Sequence, residues 1–281
     1  MSARPYGRSL HIGVNAVDPC HYARYPGILQ GAENDALSME EIAKTQGFEH
    51  KNLLGENARA DAVLREILDA AYTLPKGSYY LLTFAGHGVQ SKNDGQEPAD
   101  NELYDQNWCL YDRMLIDDEL RRRCWPEFAE AVRVVVVIDA CHSVSSPYYQ
   151  VRNGVRALKG FDFRQFCRRT RALPKRFVAR TILEHAQLYQ NILDNLPEHK
   201  DPKALVGSMA ACEDDEDAFD GPHGAFTQAL LDEWNDGHFT GTHGELMKKV
   251  RKVVKARYPS QSPATCCEGR DAIFNAKAFQ I

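Results

Sequence analysis

A histidine and a cysteine stand at the ends of two apolar runs and could act together as a nucleophilic pair. His87 follows the run at residues 79–86, and Cys141 follows the run at residues 134–140. A cysteine thiolate is a strong nucleophile, and a neighbouring imidazole can take its proton and later protonate a leaving group. If the fold brings the two together, their chemistry is thiol-dependent hydrolysis or acyl transfer.

The two apolar runs have the composition of buried parallel strands. Residues 134–138 are four valines and an isoleucine, and such β-branched runs are typical of strands covered on both faces. Catalytic groups in parallel sheets gather at the carboxyl ends of the strands. We therefore expect His87 and Cys141 to meet at one edge of a sheet.

Strands and helices alternate over the first 140 residues, which favours an α/β fold with a doubly wound, mostly parallel sheet. The predicted strands are 10–17, 52–54, 79–85 and 134–140, and the predicted helices are 34–46, 59–74, 117–124, 177–193, 226–234 and 245–257. Residues 91–106 are polar and contain Gly and Pro, so they are predicted to form a long surface loop.

The composition is that of a soluble globular protein. The chain has 281 residues, of which 43% are hydrophobic and 26% charged, so it can form one large or two small domains. No apolar stretch is long enough to span a membrane, and the N-terminus lacks a secretory signal pattern. The eight cysteines show no C-x-x-C pair. We expect a cytoplasmic protein with free thiols and no membrane partner.

The net charge of −5 is unevenly distributed. Residues 151–203 carry 12 Lys/Arg against 5 Asp/Glu, a net charge of +7, which leaves −12 for the rest of the chain. This distribution does not indicate a nucleic-acid-binding surface, so no nucleic acid partner is expected. Two interpretations stay open for the basic segment: a solvated pair of helices, or a segment complementary to an acidic cleft of the body.

Several motifs occur in the order of a known family. Two of them are Phe84-Ala85-Gly86-His87-Gly88 and Asp139-Ala140-Cys141-His142-Ser143, and the others are residues 31–36, 104–106, 116–120 and 224–227. With these motifs the chain resembles the caspase-like cysteine peptidases, and among them the metacaspases and their bacterial relatives, over about residues 8–149 and 204–281. His87 lies 54 residues before Cys141, which is the caspase order rather than the papain order.

The resemblance implies a caspase-like fold: a mostly parallel six-stranded sheet with helices on both faces. It implies a single peptidase domain over residues 1–281, in which 1–149 correspond to the large subunit, 150–203 form a basic insert or linker, and 204–281 correspond to the small subunit. The two remaining strands are then expected at 204–212 and 271–279.

The resemblance also assigns catalytic roles. Cys141 would be the nucleophile and His87 the general base and acid. The backbone N–H groups of Gly88 and Cys141 would bind the oxyanion; such a donor contributes roughly 3–4 kcal/mol where it has been measured best. The alternative is a buried structural cysteine and a core histidine. His142 is expected to be structural, because neighbours on an extended chain face opposite sides.

The resemblance places Asp35 and Asp139 in the pocket for the residue before the cleaved bond. Two carboxylates in a confined pocket select a cation, and Arg can bind one of them through two hydrogen bonds. The expected preference is Arg over Lys, with no cleavage after Asp. Each carboxylate alone also fits a plainer position, Asp35 at a helix start and Asp139 at a strand end. Ala85 and Ala32 depart from the family, since some metacaspases have a serine and a cysteine there.

Calcium is the one cofactor that the resemblance suggests, and none is expected to be required. Asp105, Asp117 and Asp118 match three of the four aspartates that bind an activating calcium ion in some metacaspases. The fourth position falls near Tyr148, a poor ligand, which implies weak binding or none. Alternatively, Asp117 and Asp118 only complement a helix N-terminus.

The sequence therefore predicts a cysteine endopeptidase that cuts protein substrates at exposed Arg or Lys residues, with a regulatory protein as a further partner. Its relatives act in stress, cell-death and defence pathways. The main alternative is a catalytically silent caspase-like module that binds partners. The third hypothesis is a different thiol-dependent hydrolase or transpeptidase on the same fold, such as a legumain-like or separase-like enzyme. Residues 151–180 carry ten basic side chains and one acidic one. A peptidase that cuts after Arg would hold this insert at high effective concentration, so we expect the insert to block the cleft or to be cut itself.

Overall fold

The computed structural model describes residues 6–92, 104–141, 170–213, 216–268 and 271–281, and among these it leaves out the side chains of 90–92, 104–106, 268 and 271. Its strands are β1 Gly7–Gly13, β2 Glu49–Leu54, β3 Tyr79–Ala85, β4 Gly88–Lys92, β5 Tyr104–Cys109, β6 Met114–Leu115, β7 Arg133–Asp139, β8 Leu205–Ala210 and β9 Ala264–Glu268. Six of them form the central sheet, in the order β2-β1-β3-β7-β8-β9.

The central sheet is parallel except at one edge. Neighbouring strands from β2 to β8 pair in parallel, and β9 pairs antiparallel with β8. This confirms the predicted caspase-like fold with its mostly parallel six-stranded sheet. In the register of β3 and β7, Ala85 lies opposite Asp139. The two strands therefore end at the same level, two residues before His87 and two before Cys141.

Helices cover both faces of the sheet. They are α1 Ala32–Thr45, α2 Ala60–Thr73, α3 Asp117–Glu119, α4 Lys175–Glu184, α5 Ala186–Asp194, α6 Ala225–Trp234 and α7 His243–Arg257. One apolar core contains residues of α1, α6 and α7, among them Met39, Phe226 and Val250. The other contains residues of α2, α4 and α5, among them Ile67 and Tyr189.

Most predicted helices are confirmed to within a few residues. Gly47 adopts a φ of +81° just after α1, a left-handed conformation that suits glycine and ends the helix. The predicted helix at 177–193 is two helices, α4 and α5, which meet at His185. The predicted helix at 117–124 is α3 followed by a π-helical turn, Leu120–Cys124.

The strand predicted at residues 271–279 is wrong. The last strand is β9, and Asp271–Asn275 form a 3₁₀ helix. Ile273 of this helix packs against Gly207 of β8, where a Cβ on the glycine would lie 2.6 Å from the Ile273 Cγ2 atom. The apolar residues of this segment therefore cover the sheet instead of extending it, which sequence periodicity alone does not reveal.

Two further predictions need correction. The loop predicted at 91–106 is shorter in the structure, because β4 and β5 extend into both of its ends and pair antiparallel there. Residues 93–103 lie outside the described part. The first strand ends at Gly13 rather than at residue 17. The loop after this strand contains Pro19 and Pro26, which cannot donate backbone hydrogen bonds to a sheet, and it crosses over the carboxyl ends of the strands.

Residues 142–169, which include the first part of the basic insert, lie outside the described part, so the division at 149 and 203 stays a prediction. In the described ranges, no helix has the length and apolar character that crossing a membrane requires.

Candidate active site

His87 is held by a backbone carbonyl. It is buried, and its Nε2 atom lies 3.0 Å from the carbonyl oxygen of Gly27. Since a carbonyl only accepts, Nε2 carries the proton and Nδ1 is the basic nitrogen. Nδ1 has no hydrogen-bond partner among the described residues. Gly27 has a φ of +53°, and a Cβ there would lie 3.0 Å from the His87 Cδ2 atom, so glycine permits this approach.

Cys141 is fully buried at the end of β7, and its thiol contacts the backbone of Ala218. Sγ donates to the Ala218 carbonyl at 3.4 Å and accepts from the Ala218 N–H at 3.0 Å. Burial raises the pKa of Cys141 well above its ordinary value, and burial lowers the pKa of His87 to about 4. The Cys141 thiol and the His87 imidazole are therefore both uncharged at neutral pH in this structure.

The chain around Arg171, a residue of the basic insert, lies in an extended conformation beside His87 and Cys141. Its N–H donates to the Ala218 carbonyl at 2.9 Å, and its own carbonyl accepts from the Gly88 N–H at 3.1 Å. The preceding residue, Thr170, forms an antiparallel bridge with Phe219. Peptides that add a strand in this way bind through their main chain and present alternate side chains to pockets. Because the Cys141 thiol and the Arg171 N–H share one acceptor, the sulfur lies beside the Arg171 peptide unit.

The Arg171 side chain is fully buried among three carboxylates. Its Nη2 lies 2.6 Å from Asp35 Oδ2, and its Nη1 lies 3.1 Å from Asp139 Oδ1 and 2.9 Å from the Asp139 carbonyl. Asp220 Oδ1 accepts from Nε at 3.3 Å and from Nη2 at 3.1 Å. The pocket thus engages all three nitrogen atoms of the guanidinium.

The motif at 224–227 forms the wall of this pocket. Thr227 donates to Asp139 Oδ2 through its N–H at 2.9 Å and its hydroxyl at 2.7 Å, and the Gly224 N–H donates to Asp35. A Cβ at Gly224 would lie 2.8 Å from the Arg171 guanidinium carbon and even closer to the Asp139 carboxylate. Glycine at 224 therefore leaves the space that the guanidinium fills.

The pocket carries an excess of negative charge that a cation must balance. Burial raises the pKa of Asp139, while the Arg171 charge opposes this and favours the carboxylate. A hydrogen bond to Asp35 raises the pKa of His223, whose Nδ1 lies 2.8 Å from Asp35 Oδ1. His223 contacts Asp35 from the rim of the pocket, whereas the Arg171 guanidinium reaches all three carboxylates.

The chain after Arg171 is anchored independently of the pocket. Ala172 forms a parallel bridge with Gly88, and Leu173 is 1% exposed within the core shared with α4 and α5. Phe177 of α4 stacks on Tyr25 with ring centroids 4.6 Å apart. Residues 170–194, which we call the blocking segment, therefore lie firmly over the site.

The structure brings together five residues that the sequence singled out: His87, Gly88, Cys141, Asp35 and Asp139. Sequence reasoning missed Asp220, Gly27 and His223. The signal for Asp220 was weak: it comes after an acidic run at 213–217 and precedes the motif at 224–227. His142 lies outside the described residues.

The proposed calcium ligands are described only in part. The Asp118 N–H donates to Asp117 Oδ1 at 2.9 Å, and Asp118 Oδ2 lies 4.0 Å from Arg122. The side chain of Asp105 and all of Tyr148 lie outside the described residues, which contain no cluster of three His, Cys, Asp or Glu side chains suited to a metal ion. Calcium binding stays a prediction, and no step of the proposed reaction depends on it.

The family model of the caspase domain matches residues 14–274. The chain belongs to the caspase domain family. The matched range includes the carboxyl ends of β3 and β7, the arginine pocket and the whole blocking segment.

Curated relatives agree with the metacaspase resemblance. The chain is 29% identical over 177 residues to "Metacaspase III c" of Phaeodactylum tricornutum, covering 56% of this chain and 51% of that protein. It is 26% identical over 153 residues to "Metacaspase-2" of Trypanosoma brucei brucei, covering 49% and 42%. The chain thus spans about half the length of the curated relatives it matches. Family membership supports cysteine peptidase activity in general.

Solved structures agree with the fold. A crystal structure of a protein from Geobacter sulfurreducens is 32% identical with a TM-score of 0.81, and the match covers 99% of each chain. Caspase-1 from Spodoptera frugiperda is 12% identical with a TM-score of 0.53, covering 95% of this chain and 92% of that one. The second match shows the shared fold alone.

Acid is expected to loosen the blocking segment. The pKa of His87 and of His21, which stacks on His185, is about 4, lowered in both by burial. Opening would return each toward 6.5, so the closed form binds fewer protons and is lost as pH falls from about 6.5 to 4. At pH 5.5 each histidine should favour opening roughly tenfold relative to neutral pH.

Hydrogen–deuterium exchange of residues 170–194 in the Cys141→Ala variant measures this opening. After correction for intrinsic rates, protection of the segment should fall between pH 7.5 and 5.5. Unchanged protection of the segment would contradict the expectation.

Proposed function

We propose that this caspase-domain protein is a cysteine endopeptidase that cuts after Arg, and less readily after Lys. The observation that carries the proposal is the placement of Arg171, with its guanidinium among three carboxylates and its carbonyl on the Gly88 N–H. The chain's own arginine thus occupies the position that the proposal assigns to the residue before the cleaved bond.

The proposed reaction uses each residue at a stated atom. His87 Nδ1 takes the thiol proton of Cys141, and the sulfur attacks the carbonyl carbon of the substrate arginine. The Gly88 N–H, together with the N–H of Cys141, stabilises the oxyanion. His87, oriented by the Gly27 carbonyl, then protonates the leaving amine. A water molecule hydrolyses the resulting thioester and frees the thiol.

The same placement supports self-cleavage after Arg171. The blocking segment buries both reactive groups, so a substrate enters only when this segment moves away from the site. The other arginines of the insert between 152 and 169 lie outside the described residues, and cleavage after them is proposed from the sequence alone. The proposed substrates are proteins that present Arg or Lys in an extended, exposed stretch, because the site binds its occupant as a strand.

Fluorogenic peptides that differ only in their last residue test the proposal. The full chain should hydrolyse the Arg peptide fastest, the Lys peptide more slowly and the Asp peptide not at all. Cys141→Ala is the matched inactive control. Equal hydrolysis of Arg and Asp peptides would refute the pocket assignment.

Asp220 is expected to set the preference for Arg over Lys. It accepts from Nη2 and also from the Nε–H of Arg171, a donor that lysine lacks, whereas Asp35 and Asp139 contact only the terminal nitrogens of Arg171. Removing a buried charge partner costs about 2–5 kcal/mol, so Asp220→Asn should lower kcat/KM for Arg peptides by roughly thirtyfold or more. The kcat/KM for the Lys peptide should fall less, so the ratio of kcat/KM for Arg to that for Lys should decrease at least fivefold.

The control for this variant is Glu213→Gln, which removes an exposed carboxylate from the same loop. It should leave both rates unchanged. If Asp220→Asn lowered kcat/KM by the same factor for both peptides, Asp220 would only support the loop fold, for example by accepting from the Gln30 N–H at 2.8 Å.

A further inference from the structure

The peptide bond between Arg171 and Ala172 is flanked by contacts that do not depend on the bond itself. On the N-terminal side, the three carboxylates hold Arg171, and Thr170, 2% exposed, pairs with Phe219. If the bond were cut, these contacts would keep the new carboxyl terminus in the site.

The C-terminal side is held by a separate set of contacts. Leu173 lies in the main core, and Phe177 stacks on Tyr25. Farther along, the Tyr189 hydroxyl lies 2.8 Å from His21 Nε2 and accepts from the Met114 N–H at 3.2 Å. These contacts would keep the new amino terminus of Ala172 beside Gly88.

We propose that Cys141 also remakes the bond it cuts, so that the Arg171–Ala172 peptide bond is a resident substrate cycling between cleaved and sealed forms. The activity is peptide-bond synthesis within one molecule. It rests on the proposed peptidase function, since the same thioester serves both directions.

The resealing step balances without any further reactant. The Ala172 amine attacks the carbonyl carbon of the Arg171 thioester, and the C–N bond forms as the C–S bond breaks. His87 Nδ1 takes the proton that the amine loses and returns it to the leaving sulfur. When the thioester has already been hydrolysed, the thiol of Cys141 displaces water from the protonated Arg171 carboxyl group, and the same thioester forms again.

Two features favour the amine over water. Reacting groups held in place reach effective concentrations far above those of free solutes, and burial of His87, Cys141 and Arg171 limits the access of water to the thioester. An α-amino group has a pKa of about 7.7–8.0, so a useful fraction is uncharged at neutral pH. His87 is itself neutral in the closed site and can accept the proton.

Oxygen-18 water detects the cycle. The full-length wild type is incubated in H₂¹⁸O, and the intact chain is then separated from cleaved chains under denaturing conditions. It is digested in ordinary water with an endoproteinase that does not cut at Arg171, and the peptide that spans residues 171 and 172 is analysed by mass spectrometry. A sealed peptide with ¹⁸O in the Arg171 carbonyl has been hydrolysed and then remade. The expected result is label that increases with time in wild type and is absent in Cys141→Ala.

Two variants test the role of the C-terminal anchor. Leu173→Ala and Phe177→Ala should each raise the ratio of cleaved to intact chain at least tenfold and lower the label in the intact peptide. Phe177 is half-buried, and Phe177→Ala removes its stack on Tyr25 and the Arg176 guanidinium contact over its ring, so it stays informative if Leu173→Ala disturbs folding. Leu183→Ala, at an exposed position of α4, is the matched control and should behave as wild type.

The outcomes separate this proposal from the peptidase function. If Arg peptides are hydrolysed but the intact chain gains no label, resealing is wrong and the peptidase function stands. If neither Arg peptides nor the chain itself is cut, the proposed function fails first. If the label in the intact chain were the same in both anchor variants as in wild type, the contacts of Leu173 and Phe177 would not be what holds the Ala172 amine for resealing.

Discussion

Replacing Cys141 by alanine is expected to reduce peptide hydrolysis to background, a loss of roughly 10⁴-fold or more, as nucleophile removal does in other peptidases. His87→Ala should lose roughly 10²–10⁴-fold, the range of general acid–base catalysis. The reason is their placement just after the ends of the adjacent strands β3 and β7, with the Gly27 carbonyl orienting His87. Initial rates on an Arg peptide, with folding checked by circular dichroism, measure both effects.

The control for the nucleophile is Cys124→Ala. Cys124 is another buried free thiol, located in the opposite core, so its loss should leave the rate within about twofold of wild type, as for a change remote from the site. Wild-type turnover by folded Cys141→Ala would overturn the catalytic assignment and favour the alternative of a silent binding module.

Replacing Arg171 by alanine is expected to activate the freshly purified, uncut chain. The arginine occupies the pocket as a tethered ligand whose effective concentration is of millimolar order or higher, and its ion pairs with buried carboxylates contribute to that occupancy. Without them the blocking segment should yield to added peptide, and the initial rate on an Arg peptide should rise at least tenfold, with no lag.

Arg180→Ala is the matched control for this activation. Arg180 belongs to the same insert but lies on the surface of α4, where it pairs with Glu184. It should leave the initial rate at the wild-type value. Equal rates for wild type, Arg171→Ala and Arg180→Ala would show that Arg171 does not block the site.

The sequence predicts correctly those strands and helices whose residue patterns are strongest. The valine run of β7 and the apolar run of β3 predict central strands, and the amphipathic spacing of α2 and α7 predicts helices close to their observed bounds. The prediction failed for β9 because an edge strand with exposed residues such as Cys266 carries little apolar periodicity. Ile273, which was assigned to a strand, belongs instead to a short helix packed on Gly207.

The candidate site was predictable where residues lie in recognisable motifs. His87, Cys141 and Asp139 lie at strand ends, and Asp35 begins a helix, so local pattern and family resemblance both locate them. Asp220 belongs to an irregular loop, and its approach to Arg171 depends on how that loop folds back over the strand ends.

The identity of the blocking arginine could not be read from the sequence. Ten basic residues lie between 151 and 180, and charge alone does not distinguish them. Arg171 occupies the pocket because the chain immediately C-terminal to it is fixed, with Leu173 buried in the core. This anchoring depends on tertiary contacts with Tyr25, His21 and Met114.

One departure from the family has a visible consequence. A cavity of about 10 Å³ lies below the pocket, lined by residues that include Asp35, Ala85 and Asp139. It has room for one water molecule. Asp139 Oδ1 is ion-paired with Arg171 but forms no hydrogen bond among the described groups. Alanine at 85 thus leaves space where some metacaspases place a serine hydroxyl.

The most direct test compares two peptides that are identical except for Arg or citrulline before the cleaved bond, using the Arg171→Ala variant so that the pocket is vacant. Citrulline has the size of arginine but no charge. Since leaving buried carboxylates without their cationic partner costs about 2–5 kcal/mol, kcat/KM should be roughly thirtyfold higher or more for the Arg peptide. Equal kcat/KM values for the two peptides, or no hydrolysis of either, would contradict the account of an arginine-directed cysteine peptidase.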